Sequence, residues 1–170
     1  VKALSLWQPW ATLVAIGAKR IETRHWATSY RGPLAIHAAK KWDRELAALS
    51  REPEFEAALR EASCWPPESL PFGAIVCTAE LYHCGEIVGF GELGRRRPVR
   101  GLLDPAALSK REAVFGNYEP GRFAWGLQNV RRLVTPIPFR GAQGLFEVPD
   151  ALIESADFEL TAEQLARALR

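Results

Sequence analysis

Gly73-Ala-Ile-Val-Cys-Thr-Ala-Glu-Leu-Tyr-His83 is the stretch on which the fold turns. Its β-branched and aromatic residues, with polar positions spaced between apolar ones, suit a pleated strand. Just before it, residues 63–71 hold Pro66, Pro67 and Pro71, which break any regular structure. A partner strand is expected at residues 86–92, and then a basic loop at 94–101 that carries Arg95, Arg96 and Arg97.

Working outward, further strands are expected at residues 3–7, 33–39, 122–129, 132–136 and 144–148, with residues 19–26 an extended segment or loop. In the second of these, Leu34 and Ile36 should share one face and His37 the other. Helices are expected between. One starts at Pro9, where the missing N–H costs nothing, and ends at the left-handed cap Gly17. Asp43 caps a second, over residues 44–61. Asp104 and Pro105 open a third that runs to Phe115, and the tail beyond Asp150 ends in a fourth, with Thr161 and Gln164 as a capping box. Strands dominate and helices are inserted rather than alternating, which favours a mixed α/β barrel over a parallel doubly wound sheet. No glycine fingerprint for a dinucleotide or a P-loop is present.

At 170 residues the chain fits one domain with an appendage, here residues 1–149 and a helical extension at 150–170. The opening residues lack the apolar run of a signal peptide, and no stretch approaches the roughly 18 apolar residues of a membrane span. Three cysteines are an odd count without framework spacing, so reduced thiols in a cytoplasmic setting are expected. Cys77, His83 and Cys84 match no closed zinc pattern, and neither a metal nor a cofactor is expected.

The net charge of +2 conceals a segregation. Residues 1–42 carry seven Lys/Arg against one acid, and residues 95–132 nine against three. Residues 43–62 hold six acids against three bases. If the two basic segments meet in space they form a surface suited to phosphate; otherwise they are solvated faces. Four of the six tryptophans, Trp7, Trp10, Trp26 and Trp42, lie in the first segment, and Trp125 with Tyr118 in the second. Trp10 is expected in the core. Trp7, Trp26 and Trp125 are candidates to stack on bases, which arginine-interleaved aromatics commonly do. Arg122, beside Gly121 in a turn, offers a planar fork for a phosphate or carboxylate.

Gly17-Ala-Lys-Arg-Ile-Glu-Thr-Arg24 gathers one ammonium, one carboxylate and two guanidiniums in eight residues. Either Lys19, crowded by Arg20 and Arg24, loses its proton more easily and acts as a base, or the segment is a surface ion-pair strip. The eight residues match G-x-K-x-x-E-x-R, the signature of the ASCH domain. The surroundings resemble bacterial and phage-borne members of that family: LSLWQPWA before it, YRGPLAIHAAK after it, then FGNYEPGRFAWGL and PIPFRGAQGLFEV.

The resemblance covers roughly residues 3–149. It implies a small PUA-like β-barrel with inserted helices, and a cleft lined by Gly17–Arg24 that binds RNA or a modified nucleoside or nucleotide. Ser5, Trp7, Arg24, Trp26, Arg122 and Trp125 are the expected ligand-binding residues. Some small relatives resemble amidohydrolases that act on acetylated cytidine, and another behaves like a ribonuclease. Their pattern sets a threonine nucleophile three residues after the lysine, where this chain has Glu22. The alternative to pure binding is therefore hydrolysis in which Glu22 activates water and Lys19 stabilises the oxyanion. Glu119 is then the expected distal carboxylate, with Glu112 the second choice.

Overall fold

The expected strand at residues 73–83 runs longer, as β4 (Ala74–Glu86), in a computed structural model that describes residues 1–88, 108–160, 164, 166 and 167. It lies inside a six-stranded mixed sheet with β1 (Lys2–Leu6), β2 (Ile21–Arg24), β3 (Gly32–Ala38), β5 (Phe123–Pro138) and β6 (Leu145–Glu147), in the order β2-β5-β4-β3-β1-β6. β1 and β3 pair in parallel, which requires a crossover; residues 7–31 supply it with α1 (Trp10–Ala15) and the edge strand β2. The other ladders are antiparallel. This is the mixed α/β fold read from the sequence, the sheet curling into a half-barrel.

Two expected strands, 122–129 and 132–136, are one bulged strand. Asn129 takes φ 50, and the β4–β5 register shifts three times. Asn tolerates the left-handed region, so the chain bends there without leaving the ladder, and the bulges add to the coil of the sheet.

The helix expected at 44–61 is two: α2 (Arg44–Leu49) and α3 (Pro53–Glu61). Pro53 lacks an N–H and its ring would strike the preceding turn, so the chain stops and restarts with Pro53 in the first turn. Asp43 caps α2 as expected, its Oδ1 accepting from Leu46 N at 3.0 Å. Gly17, at φ +73, follows α1 in the left-handed form expected of it. A short helix α4 (Lys110–Val114) begins at Ser109, whose hydroxyl accepts from Glu112 N at 3.1 Å. Asp104, Pro105, Arg95, Arg96, Arg97, Thr161 and the far end of the 86–92 strand lie outside the described residues.

Alternation along the strands sorts side chains onto two faces. Leu4, Leu34, Ile36 and Leu127 form the main core with Ala11 and Val14 of α1, and Trp125 is fully buried among them. Leu13 joins Phe55, Leu59 and Phe115 beneath α3. On the opposite face, Ala3, Ala35, Ile75 and Leu133 pack under Leu152, Ile153 and Phe158. The described part of the tail thus folds back on the sheet. It begins with α5 (Asp150–Glu154), where the N-terminal ammonium pairs with Asp150, and Phe158 bridges to Leu133. Among the described residues no helix is long and apolar enough to cross a membrane.

Ile36→Ala should lower unfolding free energy by about 2–5 kcal/mol in urea denaturation, because Ile36 is fully buried in the main core. Val134→Ala, on the same sheet but exposed, should change it by less than about 0.5 kcal/mol.

Candidate functional site

The Gly17–Arg24 segment turns inward as it leaves α1. Lys19 is 1% exposed, and its ammonium donates to the Ile21 carbonyl. Two carboxylates flank it, Glu112 Oε1 at 3.7 Å and Glu22 Oε2 at 4.0 Å, and the Tyr118 ring lies beneath, 5.7 Å away at its centroid. Glu112 is the organiser. It accepts from Arg20 N at 2.9 Å, Ile21 N at 3.1 Å and Tyr118 OH at 2.9 Å. Burial lowers the pKa of Lys19, while Glu22 and then Glu112 pull it back up. Burial and the neighbouring Glu112 charge push Tyr118 well above its ordinary value, so its hydroxyl stays a donor.

Arg24 links this cluster to the far side of β1. Its Nε lies 3.4 Å from Glu22 Oε1, and its Nη2 donates to the Ser5 carbonyl at 2.8 Å. Arg122 donates to the Thr23 carbonyl at 3.3 Å, and its buried Nε has no hydrogen-bond partner. Lys19, Glu22 and Arg122 border a cavity of about 380 Å³, walled by Trp10, Phe55 and Phe115.

A larger cavity, of about 830 Å³, opens where β1 and β3 end, under the 139–143 loop. Ser5, Trp7, His37, Lys40, Phe139 and Arg140 line it. The described lining contains two cations and no carboxylate. Trp7 is 47% exposed at its rim, with the Lys41 ammonium 3.8 Å from the ring centroid. Ser5 and His37 face each other across the parallel pair, Oγ to Nδ1 at 3.1 Å, and His37 Nε2 lies 3.0 Å from the Phe139 carbonyl. Burial lowers the pKa of His37, with a smaller push from Lys40, and the Phe139 carbonyl works the other way.

The expected site residues therefore divide between two places. Lys19, Glu22 and Arg122 line the smaller cavity and Ser5 and Trp7 the larger, while Arg24 reaches from Glu22 to the Ser5 carbonyl. Glu119 does not join them. It is exposed and bonded to Asn117, and the carboxylate that meets Lys19 is Glu112, because the α4 cap points that side chain at the turn after α1. Trp125 offers no stacking face: its ring is fully buried, edge-on to Trp26 at 4.6 Å, with its N–H bonded to the Trp26 carbonyl. Trp26 is half-buried against it. Trp10 packs in the core with its N–H on the Phe115 carbonyl. Among the described residues the basic segments converge only in part, with Lys19 and Arg122 on the smaller cavity. Arg131 and Arg132 face the tail, at Phe158 and Glu159. His37, Lys40 and Arg140 were not among the expected site residues. The signal that could have found them is the strand pairing, which sets Ser5 opposite His37.

The ASCH domain model matches residues 4–137, and the chain belongs to that family. Activating signal cointegrator 1 from Homo sapiens and from Mus musculus are each 33% identical to it over 81 residues. That match takes in 48% of this chain and 14% of either relative, so the chain spans a small part of those proteins. Among solved structures, ASCH from Zymomonas mobilis covers 92% of this chain and 95% of its own, at 17% identity and a TM-score of 0.49. A single-site mutant of it gives 16% and 0.48, covering 92% and 98%.

Breaking the buried cluster should be costly. Lys19→Met leaves the buried Glu112 carboxylate without its cation and should destabilise by about 3–5 kcal/mol in denaturant unfolding. Lys19→Met combined with Glu112→Gln should lose less than the sum of the two single changes, because the pair is coupled.

His37 adds a pH dependence. Its folded pKa lies below the ordinary 6.5, so the unfolded chain binds the extra proton. That contribution to stability is present above about pH 6.5 and is lost as pH falls through this value toward the folded pKa. Thermal melts from pH 8 to pH 5 should show the loss, and His37→Gln should flatten that part of the profile.

Proposed function

We propose that this ASCH domain binds single-stranded RNA or a nucleotide in the larger cavity. Lys40 and Arg140 would take phosphate, and Trp7 would stack on a base. The observation that carries the reading is the lining: two cations and no carboxylate around about 830 Å³. An anion entering there meets attraction without a competing internal acid. The volume lies within the range of nucleotide-sized sites. An exposed indole at the rim supplies the sequence-tolerant contact that single strands use. Family membership supports a nucleic-acid ligand in general.

Arg24 keeps a part in this reading, though not as a phosphate contact. Its guanidinium pairs in charge with Glu22 and donates to the Ser5 carbonyl, and so fixes the strand that forms the cavity wall. Arg122 supports the signature segment through the Thr23 carbonyl, and Trp26 packs edge-on to Trp125.

Hydrolysis at the signature, of acetylated cytidine or an RNA phosphodiester, is a second reading. One observation favours it: Lys19, Glu22 and Arg122 line one small cavity. Glu22 is held by two cations there and Lys19 by a carbonyl, which disfavours either as a free base. The binding reading has fewer demands.

Fluorescence anisotropy with a short labelled single-stranded RNA tests it. Affinity should fall steeply with salt. Lys40→Ala with Arg140→Ala should weaken binding and reduce the log–log salt slope by about 1.4, at roughly 0.7 per lost phosphate contact. Trp7→Ala should cost about 1–3 kcal/mol. Salt-sensitive binding that ignores all three substitutions would contradict the reading. Turnover of acetylated cytidine that disappears in Glu22→Gln would move the function to the signature.

A further inference from the structure

We propose that Ser5 and His37 form a nucleophile–base pair that hydrolyses an acyl ester carried on a phosphate-bearing alcohol held in the larger cavity. The carrier rests on the reading of that cavity as a phosphate site; the pair itself rests on geometry.

The two residues are register partners on the parallel strands β1 and β3, so their side chains project side by side. A carbonyl oxygen can only accept a hydrogen bond. The Phe139 carbonyl, 3.0 Å from His37 Nε2, therefore fixes the imidazole proton on Nε2. Nδ1 is left with its lone pair, 3.1 Å from Ser5 Oγ, and the serine hydroxyl donates to it. This is the polarity an activated serine needs. His37 is 3% exposed behind the half-buried Ser5, so the hydroxyl faces the cavity while the base is shielded from water. Burial lowers the pKa of His37, which keeps it in the basic form near neutral pH.

Two neighbours hold the pair in place. Arg24 Nη2 pins the Ser5 carbonyl from the far side. Gly141 closes over the pair from the loop. A methyl group there would sit 2.4 Å from His37 Cε1 and 2.7 Å from Ser5 Oγ, so no larger residue fits without displacing the loop.

The group behind the imidazole is a main-chain carbonyl, not a carboxylate. It orients the ring but supplies no full charge to stabilise the imidazolium, and Lys40 works against that cation. A weak base of this kind suits an ester, whose alkoxide leaves readily, more than an amide. Lys40 and Arg140 would hold the phosphate of the alcohol.

Ser5 Oγ attacks the acyl carbon and passes its proton to His37 Nδ1. The carbon–oxygen bond to the alcohol breaks, and the departing oxygen takes that proton. Water then attacks the acyl-serine and gives one proton to His37 Nδ1. The acid is released and the proton returns to Ser5 Oγ. Ester and water become acid and alcohol, with no other reactant.

An alkyl fluorophosphonate tests the pair directly on the full chain. Its P–F bond breaks as a P–O bond forms to serine, and the mass of the adduct reports the reaction. One adduct per chain is expected, mapped to Ser5, absent from Ser5→Ala, and formed at least tenfold more slowly in His37→Asn. No adduct, an adduct that persists in Ser5→Ala, or an unchanged rate in His37→Asn overturns the proposal. Should His37→Asn fail to fold, Ser5→Cys reports the same contact. Its new thiol should be alkylated by iodoacetamide at pH 7 at least tenfold faster than free cysteine, and a rate no faster than free cysteine overturns it. RNA binding without labelling leaves the binding reading standing and removes this one; labelling without RNA binding keeps the Ser5–His37 pair and removes both the binding reading and the phosphate-bearing carrier.

Discussion

The Glu112 carboxylate fixes the turn after α1 and, through it, most of the molecule's working geometry. It takes two backbone N–H groups, the Tyr118 hydroxyl and the Lys19 ammonium at once. A buried acid is costly unless every lone pair is used, and here charge and hydrogen bonds are supplied together. The Ser109 cap sets where α4 begins and so where Glu112 points. With the turn held, β2 joins the sheet edge beside β5, and Arg24 comes within reach of Ser5.

Arg24 divides two electrostatic environments. On one side lies the buried cluster, with acids matched against bases around a small cavity. On the other lies a wider cavity whose described lining has cations and no acids. Matched charges in a closed space suit structure, and unmatched cations beside an exposed indole suit an anionic ligand. In the proposed reading the signature shapes the wall of the larger site and leaves the ligand contacts to other residues.

Local chemistry made part of this readable from the residues. The Asp43 cap, the left-handed Gly17 and the strand at residues 73–83 follow from side-chain and backbone preferences alone, and appear as expected. The helix expected over 44–61 runs through Pro53, and the break that proline imposes splits it into α2 and α3. The merging of two strands into β5 was hidden because Asn129 reads as a turn, and only the ladder shows that it is a bulge. At the site, Lys19 and Glu22 were legible from the signature. Glu119 was placed ahead of Glu112 and the order is reversed beside Lys19, since the choice rests on where α4 docks. The Ser5–His37 contact joins residues 32 positions apart, and a parallel register cannot be read from one strand.

A titration of the isotopically labelled protein with a short single-stranded RNA, followed by amide chemical shifts, tests the central claim most directly. The largest changes should fall on Ser5, Trp7, Lys40 and residues 139–143, with little at Lys19 or Glu112. Changes centred on the Lys19 cavity, or on the Arg131 face, would contradict it.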